Sequence, residues 1–281
     1  MTARRGMLRA AGKRLEYDWH GPLPGRAPTL VFLHEGLGCR ALWRDFPGRI
    51  AAANRLGALV YSRAGYGASD PIELPRPLSY HRQEGLQVLP EVVAQMGLGA
   101  HVLVGHSDGA SIAIVYAGRG SAPGLRALVL IAPHVFNEPQ VSRSIAAARE
   151  AYQQGDLAVR LRRWHGANTD CAFRGWSEAW LDPHFERWNL EEYLPSVRVP
   201  VLVIRGENDE YGTPAQVRAI ERKSGGPVEV VLVPDCGHEP QRDRPALTDQ
   251  AIVRFLRSTL GLGHGGTGGQ SEPRASCAGS R

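Results

Sequence analysis

The sequence predicts an α/β fold, a doubly wound and mostly parallel sheet with a helical cap insertion. Three observations lead there. Short, nearly continuous apolar runs recur along the chain, as strands of a sheet covered on both faces require. Stretches with apolar residues at helical spacing lie between them. A Gly-x-Ser-x-Gly turn, Gly105-His106-Ser107-Asp108-Gly109, falls between one such run and a helix-forming stretch.

The elements follow in order. The N-terminus, Met1 to Gly6, is basic but leads into Met7 to Lys13 without a continuous apolar core, so no export signal is expected. Strands are expected at Thr29–Leu33, Ala58–Tyr61, His101–Val104, Ala127–Ile131, Val199–Ile204 and Val228–Val233. Helices are expected at Arg82–Met96, at Ala110–Ala117 after the turn, and at Pro214–Lys223.

The alternation breaks between His134 and Ser196. That stretch offers helical composition from Ser142 to Arg163, then the aromatic segment Trp164, Phe173, Trp176, Trp180, Phe185, Trp188 and Tyr193. It reads as a cap at 134–196 between two parts of a core, 1–133 and 197–261. Its aromatics suit a satellite core and a lid over the strand ends alike. Residues 262–281 are rich in glycine and poor in apolar side chains, and are expected to form a disordered tail.

Composition narrows the function classes. At 281 residues the chain can bury a full core without disulfide staples. Its four cysteines, Cys39, Cys171, Cys236 and Cys277, are too scattered for a zinc ribbon or a redox pair, which suits a reduced, cytoplasmic protein. The net charge of +5 comes from arginines dispersed along the chain, with Lys13 and Lys223 the only lysines. Dispersed charge argues against a nucleic-acid partner. No run approaches the roughly 18 apolar residues of a membrane span. Nothing in the sequence speaks to oligomeric state.

The turn around Ser107 gives the first chemical assignment. A serine raised on a tight strand-to-helix turn needs glycine two residues to either side, where side chains would strike the neighbouring strand and helix. Its hydroxyl then stands at a helix N-terminus, where free amides favour an oxyanion. Such a nucleophile needs a base, and the base an orienting carboxylate. Asp209 lies in the loop after Val201–Ile204, with Glu207 and Glu210 as competitors. His238 lies in the loop after the last strand, downstream of both serine and acid. His34, His106, His134, His165 and His184 are its rivals for a place near the pocket.

Taken together, these segments resemble those of the α/β-hydrolase superfamily over roughly residues 14 to 260. The resemblance is carried by Leu33-His34-Glu35-Gly36-Leu37-Gly38, by Tyr61 to Ser69, by the elbow at Ser107, by the Gly-x-x-Asp turn ending at Asp209, and by the Gly-His-x-Pro turn at His238. It implies Ser107 as nucleophile, His238 as general base and then acid, and Asp209 as the group that holds the imidazole. It also implies an oxyanion hole from the backbone amides of Gly36 and Asp108, with His34 shaping the loop and no metal or organic cofactor.

The chain departs from the family pattern at two acidic positions. Glu35 stands between His34 and the oxyanion glycine, and an ion pair with an arginine such as Arg63 is expected to hold it. Asp108 places a carboxylate next to the nucleophile, where it would oppose an anionic transition state unless it points away or is paired.

The expected reaction is hydrolysis of a carboxylic ester, or a related lactone or thioester, with a small to medium, largely apolar substrate and no membrane or nucleic-acid partner. Serine at position 107 argues against the epoxide hydrolases and haloalkane dehalogenases of the superfamily, which use aspartate. Carbon–carbon bond hydrolysis of the meta-cleavage type and a non-catalytic small-molecule receptor remain as alternatives.

Overall fold

The computed structural model describes residues 3–262. Eight strands form one sheet: β1 (Arg4–Ala10), β2 (Lys13–His20), β3 (Thr29–Leu33), β4 (Gly57–Tyr61), β5 (His101–His106), β6 (Leu125–Ile131), β7 (Val201–Gly206) and β8 (Val228–Val233). Helices connect and cover them: α1 (Phe46–Asn54), α2 (Tyr80–Gln83), α3 (Leu89–Gln95), α4 (Asp108–Gly118), α5 (Pro139–Gln154), α6 (Leu157–His165), α7 (Thr169–Trp180), α8 (Pro214–Lys223), α9 (Pro240–Asp243) and α10 (Pro245–Leu260).

The strand order is β1-β2-β4-β3-β5-β6-β7-β8, with the β1–β2 and β2–β4 pairings antiparallel and the remaining pairings parallel. The first two strands were not expected from the sequence. Arginine occupies three of the seven positions of β1, and only Leu8 and Ala10 turn inward, so its apolar alternation is short. The expected helix Arg82–Met96 is observed in two pieces, α2 and α3, joined by a widened helical turn at Glu84–Val88.

Alternate residues of the central strands feed two cores. On one face Val31, Leu33, Leu103, Leu128 and Val203 pack under α3, α4 and α8, against Val92, Ile112 and Ile220. On the other, Phe32, Val60, Val104, Ile131 and Ile204 meet Phe46 and Ile50 of α1 and Ile252 and Leu256 of α10. Both faces being dry is why these strands read as unbroken apolar runs. Leu262, the first residue of the expected tail, packs against the second core, and the rest of that tail lies outside the described residues.

Between β6 and β7 the chain leaves the sheet to form α5, α6 and α7. They build a third core from Val141, Ile145, Leu161, Phe173, Trp176, Trp180, Phe185 and Trp188, closed from below by Tyr80 and Val115. Of the aromatics expected to serve a satellite core or a lid, Trp176 and Trp180 belong to this core and also line a cavity beside Ser107.

The topology fixes the site. β3 leads to β4 on one side and the chain returns to β5 on the other, so β3 and β5 flank the point where the winding reverses. Loops leaving the carboxyl ends of two such strands diverge and open a crevice. The elbow is packed tightly there: a Cβ on Gly109 would fall on the Leu33 carbonyl, and one on Gly105 would strike the backbone of Gly109 and Ala110. Gly109→Ala should therefore destabilise the protein by about 3 kcal/mol, lowering Tm by roughly 6–10 °C in thermal denaturation, because rigid backbone must move to admit the methyl group.

Candidate active site

Ser107 takes φ 52° and ψ −117°, a left-handed backbone uncommon for a residue with a side chain. Its N–H donates to the Ile131 carbonyl at 2.9 Å, and its carbonyl accepts from Ala110 and Ser111 at 2.9 and 3.1 Å. Strand β6 on one side and the first turn of α4 on the other thus hold the strained residue. Its side chain faces a cavity of about 820 Å³ that Gly36, Asp108, His134 and His238 also line.

His238 stands in the loop after β8 with its Nδ1 2.8 Å from Asp209 Oδ1. Asp209 is further fixed by the Tyr211 N–H at 2.9 Å. Burial alone would raise the Asp209 pKa. The imidazole of His238 and these hydrogen bonds outweigh it and bring the carboxyl down to about 2. Of its sequence competitors, Glu207 and Glu210 are exposed and neither pairs with His238. The His238 ring lies between Tyr211, His106 and His134, with centroids 4.6, 5.2 and 5.7 Å away.

The expected oxyanion amides belong to Asp108, first residue of α4, and Gly36, in the loop after β3. Neither donates to a backbone carbonyl in the turns and loops, as a helix start and an open loop leave them. His34 holds that loop without reaching the cavity. Its Nδ1–H donates to the Glu35 carbonyl at 2.7 Å, and its Nε2 accepts the Arg63 N–H at 3.1 Å. Burial keeps it neutral.

Glu35 does not pair with Arg63 as expected. Arg63 donates instead to the Glu35 backbone carbonyl at 2.9 Å, while the Glu35 carboxylate turns to His106, 3.5 Å away. Arg63 lies wholly beneath the loop, where it meets carbonyls before it could meet that side chain. Burial opposes charge on both members of the Glu35–His106 pair. Each nevertheless stabilises the other, so Glu35 is brought down to about 2 and His106 is raised. His106 Nε2 also donates to the His238 carbonyl at 2.9 Å, tying the oxyanion loop to the histidine loop.

Asp108 is paired. Its carboxylate accepts from the Tyr80 hydroxyl at 2.7 Å and the Trp180 indole at 3.3 Å, with His81 Nε2 at 3.3 Å and Arg63 at 3.6 Å. Burial alone would raise its pKa, but His81, Arg63 and Tyr80 together hold it well below the usual carboxylate range. Its charge is therefore directed into a buried network of Tyr80, Trp180, His81 and Arg63.

The remaining histidines divide cleanly. His106 and His134 line the cavity. Burial, followed by the nearby His238, brings His134 down to about 4, so it is neutral at pH 7. His165 bridges the Gly67 amide and the Leu37 carbonyl beneath the cap, and His184 is exposed beside Asp182. No spacing in the sequence assigned Tyr80, His81 or Trp180 to Asp108, because only the tertiary fold brings them there. Among the described residues no cluster of three or more histidine, cysteine, aspartate or glutamate side chains could hold a metal ion. No helix there is long and apolar enough to cross a membrane.

Residues 30–251 match the Alpha/beta hydrolase family, which covers the elbow and both strand-end loops. The chain belongs to this family. It is 29% identical to the N-formylmaleamate deformylase of Pseudomonas putida over 83% of this chain and 89% of that protein. It is 23% identical to Epoxide hydrolase 3 of Xenopus tropicalis over 90% of this chain and 77% of the relative. In fold, this hydrolase superposes on carboxylesterase CesB of Bacillus subtilis with a TM-score of 0.68 at 19% identity, over 92% of this chain and 93% of the other.

The buried charges of the hydrolase generate two predictions. Asp108→Ala leaves the Arg63 guanidinium buried without its carboxylate and should cost about 3–5 kcal/mol in urea unfolding, against about 1 kcal/mol for Tyr80→Phe. Glu35 and Asp209 titrate near 2 when folded, below their ordinary values of 4.5 and 3.8. A depressed carboxylate contributes stability above its unfolded pKa and loses it as pH falls through the folded one. The wild-type urea midpoint should thus fall between about pH 4.5 and 2, and less steeply in Glu35→Gln.

Proposed function

We propose that this hydrolase cleaves carboxylic esters, or related lactones and thioesters, through an acyl-enzyme on Ser107. One observation carries the reading: a strained, cavity-facing serine at a helix N-terminus shares its cavity with an imidazole held by a buried carboxylate. Asp209 accepts from His238 Nδ1–H, which leaves Nε2 free to act as a base.

In the reaction, Ser107 Oγ attacks the acyl carbon as His238 Nε2 takes the hydroxyl proton. The carbonyl oxygen gains the negative charge and is held by the amides of Gly36 and Asp108. Collapse of the tetrahedral intermediate breaks the bond to the leaving oxygen, which receives the proton from His238. A water, giving its proton to the same nitrogen, then attacks the acyl-enzyme; the acyl–Oγ bond breaks, the acid leaves, and His238 Nε2 returns the proton to Ser107 Oγ. No step needs a metal or an organic cofactor.

The cavity supports a small to medium substrate with an apolar portion. Val141, Ile145, Leu157, Leu161, Trp164, Trp176 and Trp180 of the cap form one wall, and Glu35, His106 and His134 lie on the core side. An N-acyl amide is the second reading, favoured by the likeness to N-formylmaleamate deformylase. It needs the same nucleophile, with His238 protonating a leaving nitrogen.

A fluorophosphonate followed by intact-mass measurement tests the nucleophile. Wild type should gain a single adduct, Ser107→Ala none, and His238→Ala should label at least about 10³-fold more slowly. A folded wild type that stays unlabelled but binds small molecules would instead be a receptor on a hydrolase fold. A panel of p-nitrophenyl esters, lactones, thioesters and N-formyl amides then orders the substrates, and Asp209→Asn should reduce kcat on the best of them by about 10⁴-fold.

A further inference from the structure

We propose that the cap completes the oxyanion hole: the Trp176 Nε1–H is a third hydrogen-bond donor to the substrate oxygen that becomes negative during attack by Ser107. This rests on the acyl-transfer reading above and adds to it a residue outside the core.

The placement of the indole is the first argument. A Cβ built on Gly36 would fall on Nε1 and Cδ1 of Trp176, so the nitrogen edge of the ring, not its benzene edge, lies against the oxyanion loop. The glycine is required here because the cap side chain occupies the space a Cβ would take. Gly36, Ser107, Asp108 and Trp176 all line one cavity.

The second argument is the state of the donor. Trp176 is 6% exposed, and among the described residues the indole N–H groups that donate a hydrogen bond are those of Trp19 and Trp180, not its own. Buried indole N–H groups normally find an acceptor, as those of Trp19 and Trp180 do in the Pro22 carbonyl and the Tyr80 hydroxyl. The Nε1 atoms of Trp43 and Trp188 are buried without a partner, whereas the Trp176 Nε1 lies against the loop at Gly36 on the cavity wall. A donor that is unpaired, accessible and next to the oxyanion loop is satisfied when a substrate oxygen arrives.

The third argument is rigidity. Trp176 lies mid-cap on α7, edge-on to Phe173 at 6.1 Å and within the core shared with Leu161, Trp180 and Tyr80. A donor fixed before the reaction needs no reorganisation as the charge develops, which is the condition under which such a hydrogen bond lowers the barrier.

Trp176→Phe removes the N–H and keeps an aromatic ring in the wall. Its kcat on the best ester and its second-order rate of fluorophosphonate labelling should both fall about 10-fold or more, with KM within about twofold. A raised KM at unchanged kcat, or labelling at the wild-type rate, overturns the proposal and leaves Trp176 as wall. A second measurement uses wild type with ¹⁵N-labelled indoles. Phosphonylation of Ser107 should move the Trp176 Nε1–H proton resonance downfield, and an unmoved resonance overturns the proposal even if the variant fails to fold. If wild type takes no adduct on Ser107, the acyl-transfer reading falls and this one with it. If wild type labels and the variant labels equally fast, only the role of Trp176 is lost.

Discussion

The structure depends on one backbone constraint, the left-handed conformation of Ser107. It persists only because the chain is gripped on every side. Strand β5 delivers it, β6 accepts its N–H, and the first turn of α4 accepts no side chain at Gly109, whose backbone lies against the Leu33 carbonyl at the end of β3. This contact brings the strand end that carries His34 to Gly38 beside the helix N-terminus that carries the Asp108 amide. The two candidate oxyanion donors are thus consequences of the same packing that strains the serine.

Two carboxylates lie close to that strained turn, which would oppose an anionic transition state if either were bare. Each is answered by a neighbouring basic side chain. Arg63 lies under Asp108, with Tyr80 and Trp180 donating to it as well. His106 answers Glu35 and passes the restraint to the His238 carbonyl. The Ser107 turn, the His238 loop and the loop after β3 are therefore joined by ionic and polar contacts that do not themselves touch the Ser107 hydroxyl.

What the sequence made legible follows from how local each signal is. The central strands are apolar on both faces, and the elbow needs two glycines at fixed spacing, so both stand out in a linear reading. Asp209 and His238 stood out as candidates because each follows a strand end. Strand β1 was not, since its arginines hide a short inward alternation at Leu8 and Ala10. The partner of Glu35 was misassigned because pairing depends on which way a side chain leaves the loop. Arg63 was spent on backbone carbonyls before it could reach that carboxylate. The cage around Asp108 joins residues from α2, α4 and α7, and no spacing along the chain encodes it.

Those same cage contacts bear on how the cavity meets solvent. Trp180 of the cap donates to both Tyr80 and Asp108, and Trp176 rests against the oxyanion loop, so lifting α7 would leave Asp108 with fewer donors in a buried place. The opposite rim is built differently. Arg44, Asp45, Arg160, Arg163, Arg242 and Asp243 line the cavity and are exposed, and the ion pairs of Asp45, Arg160 and Arg242 are surface pairs worth little. These side chains can rearrange at small cost, whereas the buried donors around Asp108 cannot. The energetic asymmetry places the pliable part of the cavity at its charged rim and the rigid part at the loop around Gly36 and the buried Asp108 network.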